Sequence, residues 1–167
     1  MRGHIKKSRA FTLIELMIVV IIIGILAALA ANRYHSYRDK VKAAEAQVWI
    51  NRIAKAVDEL AADTGQWPGH QPAGYVYQGA YNEVWDLNAP RAGLRTNDSS
   101  NPFPDWHGPY IAETIPKDPW GNDYFFDTDY RGEDNKWYAV VGSFGPNGYG
   151  PNVYDKDNIV LVISTAK

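Results

Sequence analysis

A single carboxylate, Glu15, lies near the start of a long apolar segment. The sixteen residues from Leu16 to Ala31 are all apolar, and the segment reaches twenty-one positions if it begins at Phe11. A helix needs roughly 20 residues to cross a bilayer. A charged side chain in hydrocarbon costs about 3 kcal/mol or more. A simple anchor gains nothing from this charge, so its position predicts a partner charge that neutralises it.

Basic residues precede this segment. The first ten residues contain no acid and four bases, Arg2, Lys6, Lys7 and Arg9. This bias holds the N-terminus of a membrane helix on the cytoplasmic side. A cleaved secretory signal is the alternative, because the alanine-rich stretch 27–31 contains an Ala-x-Ala pattern. That alternative leaves Glu15 without a role, so a membrane anchor is the preferred interpretation.

The residues around Glu15 form a motif. The stretch from Arg9 to Leu16, Arg-Ala-Phe-Thr-Leu-Ile-Glu-Leu, resembles the N-terminal motif of type IV pilins and type II secretion pseudopilins. The resemblance implies that a prepilin peptidase cuts between Ala10 and Phe11 and methylates the new N-terminus of Phe11. It also implies that Glu15 of an incoming subunit pairs with the Phe11 amine of a neighbour. Two charges that are costly in the membrane then neutralise each other on assembly.

Two positions depart from the family pattern. Ala10 stands where a glycine usually precedes the cut, and because alanine is also small we expect processing to survive. Asn32 stands where the family usually has a proline, which together with Gly24 lets the helix unwind in filaments. Asparagine does not break a helix as proline does. We therefore expect a more continuous helix around Gly24.

The composition limits the function classes. A chain of 167 residues has room for one modest domain after the anchor. Cutting after Ala10 removes four bases and makes the net charge of −2 more negative by four units, which argues against a nucleic-acid filament. The sequence has no cysteine, so neither a disulfide nor a thiol nucleophile is available. The histidines are dispersed at positions 4, 35, 70 and 107, and we expect no enzyme activity.

After the membrane segment, the sequence predicts that the helix continues. Residues 33–63 lack glycine and proline, and Thr64-Gly65 followed by Pro68 forms a stop signal. Together with the membrane segment this predicts one helix of about 50 residues, or about 75 Å. Apolar residues at helical spacings predict a stripe that packs on a sheet. They are Val41, Ala44, Val48, Ile53, Val57, Leu60 and Ala61.

The rest of the chain predicts a loop-rich head. The Gly-, Pro- and Asn-rich stretch 66–107 predicts a long loop with a short helix near Asn82–Leu87. Three strands are predicted at Tyr124–Asp127, Trp137–Gly142 and Ile159–Ser164. The fold class is α+β, a long N-terminal transmembrane-plus-amphipathic helix with a small C-terminal antiparallel sheet. Its parts are a leader (1–10), a transmembrane helix (11–32), an amphipathic helix (33–64) and the head (65–167).

A second motif lies before the predicted strands. The run Pro116–Tyr124 reads Pro-Lys-Asp-Pro-Trp-Gly-Asn-Asp-Tyr and resembles a stretch typical of the major pseudopilin of type II secretion. Pro119 and Gly121 favour a turn there. We expect Trp120 to fill the core between the helix and the sheet.

Two acidic stretches raise the question of a metal. Residues 127–134 begin like an EF-hand, but Arg131 stands at a ligand position and Tyr138 at the twelfth, so an acidic hairpin turn is predicted. The loop after residue 143 resembles the calcium-binding loop of major pseudopilins. This resemblance implies calcium ligands at Asn147, Asp155, Asp157 and Asn158. Two carboxylates of that pattern are amides here, so the expected site is weak. A glycine- and asparagine-rich turn without metal is the alternative.

The resemblances imply a structural function. We expect a subunit of a helical pseudopilus that assembles from the inner membrane and helps drive protein export by type II secretion. The implied partners are further copies of the chain in a homo-oligomeric filament, the prepilin peptidase, minor pseudopilins and an inner-membrane assembly platform, with no nucleic acid. The head is expected outside the cytoplasm, with the filament in the periplasm or outside the cell.

The major subunit of a type IV pilus, serving adhesion, motility or aggregation, is the alternative. The lack of cysteine and the Asp-Pro-Trp-Gly-Asn run at residues 118–122 favour secretion. The long stretch 66–107 favours a pilus, and the aromatic content of 13% also permits an electron-conducting one.

Overall fold

The computed structural model describes residues 11–76, 79, 82–150 and 154–165. Within these residues the helix α1 (Leu13–Thr64) precedes two short strands, β1 (Gln66–Trp67) and β2 (Gln71–Pro72). The later strands are β3 (Phe125–Arg131), β4 (Trp137–Ser143) and β5 (Ile159–Thr165), and single 3-10 turns lie at Pro68–His70 and Pro90–Ala92. The chain divides into two compact units, one up to Lys40 and one from Val41 onward. The predicted leader, residues 1–10, lies outside the described residues.

The described part of the first unit is the N-terminal part of α1. Leu13–Ala30 form a window with a mean hydropathy of 3.0, apolar and long enough to cross a membrane. Large apolar side chains are exposed all along it, from Leu13 to Leu29. A helix that is apolar on every side requires lipid or protein around it. In this single chain α1 is helical through Gly24 and Asn32. Continuity of the helix in an assembled filament stays a prediction.

In the second unit, one face of α1 is buried. The buried side chains recur every three or four residues, as a helix face requires, at Ala46, Ile50, Ile53, Val57 and Leu60. The prediction is therefore correct for the last three of these. It is wrong for Val41, Ala44 and Val48, which are exposed. Val48 lies two residues from Ile50, more than half a turn away around the helix, so the two side chains face opposite sides.

Gly65 terminates α1 where the stop signal predicts. It has a positive φ of 69°, and its N–H donates to the carbonyl oxygen of Ala61 at 2.9 Å. The hydroxyl of Thr64 donates to the carbonyl oxygen of Leu60 at 2.7 Å. A left-handed glycine directly after the last helical residue is a frequent way to end a helix.

The three later strands form an antiparallel sheet in the order β3-β4-β5. All three predicted strands are confirmed, and β3 extends further than predicted, to Arg131. Both faces of the sheet are buried. Phe126 and Val141 pack in the core cluster that contains the buried face of α1. Phe125 and Val140 pack in a second cluster with Trp85, Phe144 and Tyr154.

Part of the stretch 66–107 pairs with the sheet. The N–H of Val84 donates to the carbonyl oxygen of Phe126 at 2.8 Å, and the N–H of Phe126 donates back at 3.0 Å. Val84 belongs to the first cluster and Trp85 to the second, the alternation of a strand. The predicted helix at Asn82–Leu87 is therefore wrong, because adjacent side chains there must reach two different clusters.

The acidic stretch 127–134 is divided between β3 and the hairpin turn that follows. The register shifts between Asp127 and Tyr130, and the turn itself spans Gly132 to Lys136. Asp127 is only 1% exposed, and its Oδ1 accepts from the N–H of Asp129 at 2.7 Å. Burial, together with the carboxylates of Asp129 and Glu83, raises the pKa of Asp127 to about 8.

We predict that Asp127 makes the fold less stable as the pH rises. Between its ordinary pKa of 3.8 and the folded value of about 8, the folded chain holds a proton that the unfolded chain has released. The free energy of unfolding should therefore fall across this window, by at most about 1.4 kcal/mol per pH unit. Asp127→Asn keeps an oxygen for the Asp129 N–H, so it should match the wild type near pH 4 and exceed it near pH 8.

Urea unfolding of the full chain in detergent, followed by tryptophan fluorescence, measures this difference. Asp58→Asn makes the same change at an exposed position of α1 and serves as the control. Parallel pH curves for the wild type and Asp127→Asn would contradict the prediction.

Candidate functional site

Glu15 bonds back to the residue that precedes α1. Its Oε2 accepts hydrogen bonds from the backbone N–H and from the hydroxyl of Thr12, both at 2.8 Å. The Thr12 hydroxyl oxygen accepts in turn from the N–H of Glu15 at 3.3 Å. This reciprocal arrangement is a capping box. It satisfies donors at the helix start that have no partner within the helix.

The capping box means that the carboxylate of Glu15 is not bare in a single chain. The positive end of the helix dipole and two donors of Thr12 stabilise its charge. Within the described residues, the other oxygen, Oε1, accepts no hydrogen bond. The prediction from sequence treats Glu15 as an uncapped charge, although Thr12-x-x-Glu15 has the spacing of a capping box and signals the cap.

The predicted cleavage site is described only on one side. Phe11 is 82% exposed and lies directly before the capping box. Ala10 lies outside the described residues. Cleavage between these residues, methylation of Phe11 and pairing with Glu15 therefore stay predictions.

In the second unit, a buried carboxylate holds the turn predicted at residues 118–122. Asp118 is 4% exposed, and its Oδ1 accepts from the N–H groups of Trp120 at 3.0 Å and Asn122 at 2.8 Å. Gly121 has a positive φ of 96°, as the predicted turn requires. Trp120 is only half-buried at the edge of the core. The buried tryptophan is Trp67, which packs edge-on against Phe126.

Asp118 also bonds to the end of β4. Its Oδ2 accepts from the hydroxyl of Ser143 at 2.6 Å, and that hydroxyl oxygen accepts from the N–H of Gly145 at 3.0 Å. Ser143 thereby connects the 118–122 turn to the loop between β4 and β5. The sequence predicts this role for neither side chain. Asp favours turns because its side chain accepts from the backbone N–H two residues later, so the local bond to Trp120 has a sequence signal. The bond to the distant Ser143 has none.

The structure brings two of the predicted calcium ligands together. The Nδ2 of Asn147 donates to the Oδ2 of Asp155 at 2.7 Å. The Oδ1 of Asn147 accepts from the N–H of Tyr149 at 2.9 Å, and the Oδ1 of Asp155 accepts from the N–H of Asp157 at 3.0 Å. The side chain of Asn158 is directed elsewhere, since its Nδ2 donates to the hydroxyl of Tyr130 at 3.4 Å.

This arrangement of donors does not fit a bound calcium ion. Calcium takes six to eight oxygen ligands. Here the amide nitrogens of Asn147 and Asn158 face protein acceptors, and an amide nitrogen does not serve as a calcium ligand. Across the described ranges, no group of three acidic or histidine side chains is arranged to hold a metal. Calcium binding at these residues therefore stays a prediction of the resemblance.

Comparison with known proteins matches both ends of the chain. Residues 5–31 match the prokaryotic N-terminal methylation motif. Residues 89–160 match the family described as type II secretion system protein G. The second match covers the 118–122 turn, β3, β4 and the loop that leads to β5.

Individual relatives differ in how much of the chain they match. Over 120 residues the chain is 36% identical to the type II secretion system core protein G of Pseudomonas aeruginosa, covering 71% of this chain and 72% of that protein. Over 67 residues it is 44% identical to the type IV major pilin protein PilE1 of Neisseria gonorrhoeae, covering 40% of this chain and 31% of that protein. The crystal structure of the major pseudopilin from the type 2 secretion system of enterohaemorrhagic Escherichia coli aligns with a TM-score of 0.49 and 21% identity, covering 75% of this chain and 90% of that one.

We predict that Ser143 stabilises the head through its bond to Asp118. Ser143→Ala leaves the Oδ2 of a buried carboxylate without this donor, which should lower the free energy of unfolding by about 1–3 kcal/mol. Ser99→Ala, at an exposed loop position, should stay within about 0.5 kcal/mol of the wild type. Urea unfolding in detergent measures both, and equal stability of the two variants would contradict the role of Ser143.

Proposed function

We infer that this chain, which belongs to the type II secretion system protein G family, is a structural subunit of a type II secretion pseudopilus. The match in the head supports this function most directly. The N-terminal motif occurs in pilins and pseudopilins alike, whereas residues 89–160 match the protein G family. The Pseudomonas relative covers 71% of the chain, whereas the gonococcal pilin covers 40%.

In the proposed topology, the first part of α1 lies in the inner membrane. The apolar window Leu13–Ala30 has the required length, and the bases before it favour a cytoplasmic N-terminus. The unit from Val41 onward then lies on the periplasmic side. Its core includes a buried face of α1 and both faces of a sheet, so it has the interior of a folded domain.

Processing precedes assembly in this proposal. A prepilin peptidase removes residues 1–10 by cutting between Ala10 and Phe11, and it methylates the new N-terminus. The match of residues 5–31 to the N-terminal methylation motif supports this step. Cleavage adds a cationic amine at Phe11, directly before the capping box.

The capping box defines how Glu15 receives a partner during assembly. In the membrane, Thr12 satisfies Oε2 and so reduces the cost of burying the carboxylate. Oε1 stays available for the Phe11 amine of a neighbouring subunit. The helix start therefore keeps its cap while the charge of Glu15 is neutralised across the subunit interface.

The proposed partners are further copies of this chain, the prepilin peptidase, minor pseudopilins and an inner-membrane assembly platform. In this role the chain acts by assembly and carries out no reaction. A type IV pilus subunit is the second candidate, favoured by the 44% identity to PilE1 over 67 residues.

Deletion of the gene in the source bacterium separates the two functions. Loss of protein secretion with surface pili unchanged supports the pseudopilus. Intact secretion with loss of surface pili would overturn it in favour of the pilus. Restoring the wild-type gene controls for effects on neighbouring genes.

We predict that the charge of Glu15, and not only its cap, is required for assembly. Glu15→Gln keeps an oxygen that accepts from Thr12 but loses the charge, whereas Glu15→Ala loses both. Both variants should insert and be cleaved normally. Filament yield should fall at least about tenfold in both variants, because a loss of about 1.4 kcal/mol per subunit contact weakens association tenfold.

The yield of sheared filaments, relative to processed subunit in the membrane, measures assembly. Glu133→Gln removes an exposed carboxylate from the hairpin turn and is the matched control. Normal filaments from Glu15→Gln with none from Glu15→Ala would assign the role to the cap alone and contradict the charge pair.

A further inference from the structure

The two sides of the loop between β4 and β5 stay in contact beyond the ends of the strands. Ser143 and Ile159 are the last paired residues of the strands. Two residues further from each strand, Gly145 lies against Asp157, so closely that a Cβ on Gly145 would collide with the carbonyl oxygen of Asp157. Two residues further again, Asn147 and Asp155 are joined by the 2.7 Å hydrogen bond. Asn147 and Asp155 therefore face each other across the loop, each within or beside a turn: the N–H of Gly148 donates to the carbonyl oxygen of Gly145 at 3.3 Å, and that of Asn158 to the carbonyl oxygen of Asp155 at 3.4 Å.

The base of this loop is held by buried groups. Ser143 is fully buried and bonds to both Asp118 and the N–H of Gly145. Gly145 adopts a positive φ of 66°, which an L side chain rarely accepts. The chemistry of the Asn147 and Asp155 side chains then decides whether the two sides of the loop are joined there.

An amide opposite a carboxylate closes the tip without a cation. The Nδ2 of Asn147 supplies a donor to Oδ2 of Asp155, and local N–H groups satisfy the remaining side-chain oxygens of the pair. A carboxylate at position 147 would instead place two like charges at hydrogen-bond distance, which is destabilising. Such a pair needs a cation between its oxygens, and carboxylates are the ligands that calcium prefers.

We propose that Asn147 makes closure of the β4–β5 loop independent of calcium, by donating to Asp155 where a carboxylate would require a metal ion. Asn147 thus determines whether closure of this loop depends on a metal ion. The proposal rests on the geometry of the loop and does not depend on the proposed secretion function.

Thermal unfolding of the full chain in detergent micelles tests the proposal. The sequence has six tryptophans, all after residue 48, so their fluorescence reports unfolding of the unit that contains the loop. Each protein is measured with a chelator, with millimolar calcium and with millimolar magnesium, which controls for ionic strength. The melting temperature of the wild type should be the same in all three conditions.

Two variants at position 147 separate the hydrogen bond from the metal. Asn147→Ala should lower the melting temperature by about 3 °C whether or not calcium is present, because one hydrogen bond to a charged group is lost. Asn147→Asp should lower the melting temperature by at least as much in chelator. Calcium should restore the wild-type melting temperature of this variant, and magnesium should not. Asn51→Asp makes the same amide-to-carboxylate change on the exposed helix surface and should not respond to calcium.

Three results would overturn the proposal. One is a wild-type melting temperature that rises in calcium and falls in chelator. Another is Asn147→Ala melting at the wild-type temperature, since the hydrogen bond would then contribute nothing. The third is Asn147→Asp that is as stable as the wild type in chelator, because two facing carboxylates would then need no cation.

Discussion

The sheet of this protein must be covered on both faces, and most of the head is organised by this constraint. Phe125 and Phe126 are adjacent in β3, so their side chains point to opposite faces, and both are almost completely buried. The helix α1 belongs to the cluster on one face only. The second face is covered by side chains from irregular segments, such as Trp85 and Tyr154. The irregular segments that cover this face must therefore be held in position.

Polar side chains hold these segments by bonding to distant backbone, in a chain whose sequence offers no disulfide. Asn88 donates to the carbonyl oxygen of Ile115 at 3.0 Å and accepts from its N–H at 2.9 Å. Asn97 accepts from the N–H of Phe103 at 2.8 Å, and Asp118 accepts from two N–H groups of its own turn and from the hydroxyl of Ser143. A buried backbone group that lacks a helix or ladder partner needs a bond of this kind. These contacts fix loops that carry the cover for the sheet.

The parts of the fold that can be predicted from sequence are those set by local rules. The end of α1 at Gly65 depends on one residue's conformation, and the strands depend on short runs of aromatic or β-branched residues, so both are predictable. The buried face of α1 is predicted correctly only from Ile53 onward. Val41 and Val48 also fit a helical spacing, but the sequence does not show which side of the helix the rest of the domain covers. The bridge at Val84 depends on Phe126, and the role of Ser143 on Asp118. Such long-range pairs leave no local pattern, whereas the capping box of Thr12 and Glu15 is local and can be found from its spacing.

The two carboxylates with the clearest roles differ in how many of their oxygen atoms the chain itself satisfies. Glu15 has one oxygen bonded to Thr12 and one without a hydrogen bond among the described residues. It can therefore accept a cationic partner without giving up its cap. Asp155 has one hydrogen bond on each oxygen within its own loop, so a metal ion there would have to share these oxygens with Asn147 and with the N–H of Asp157. The proposed subunit contact at Glu15 thus uses an oxygen without a hydrogen bond among the described residues, whereas each oxygen of Asp155 already has a donor from its own loop.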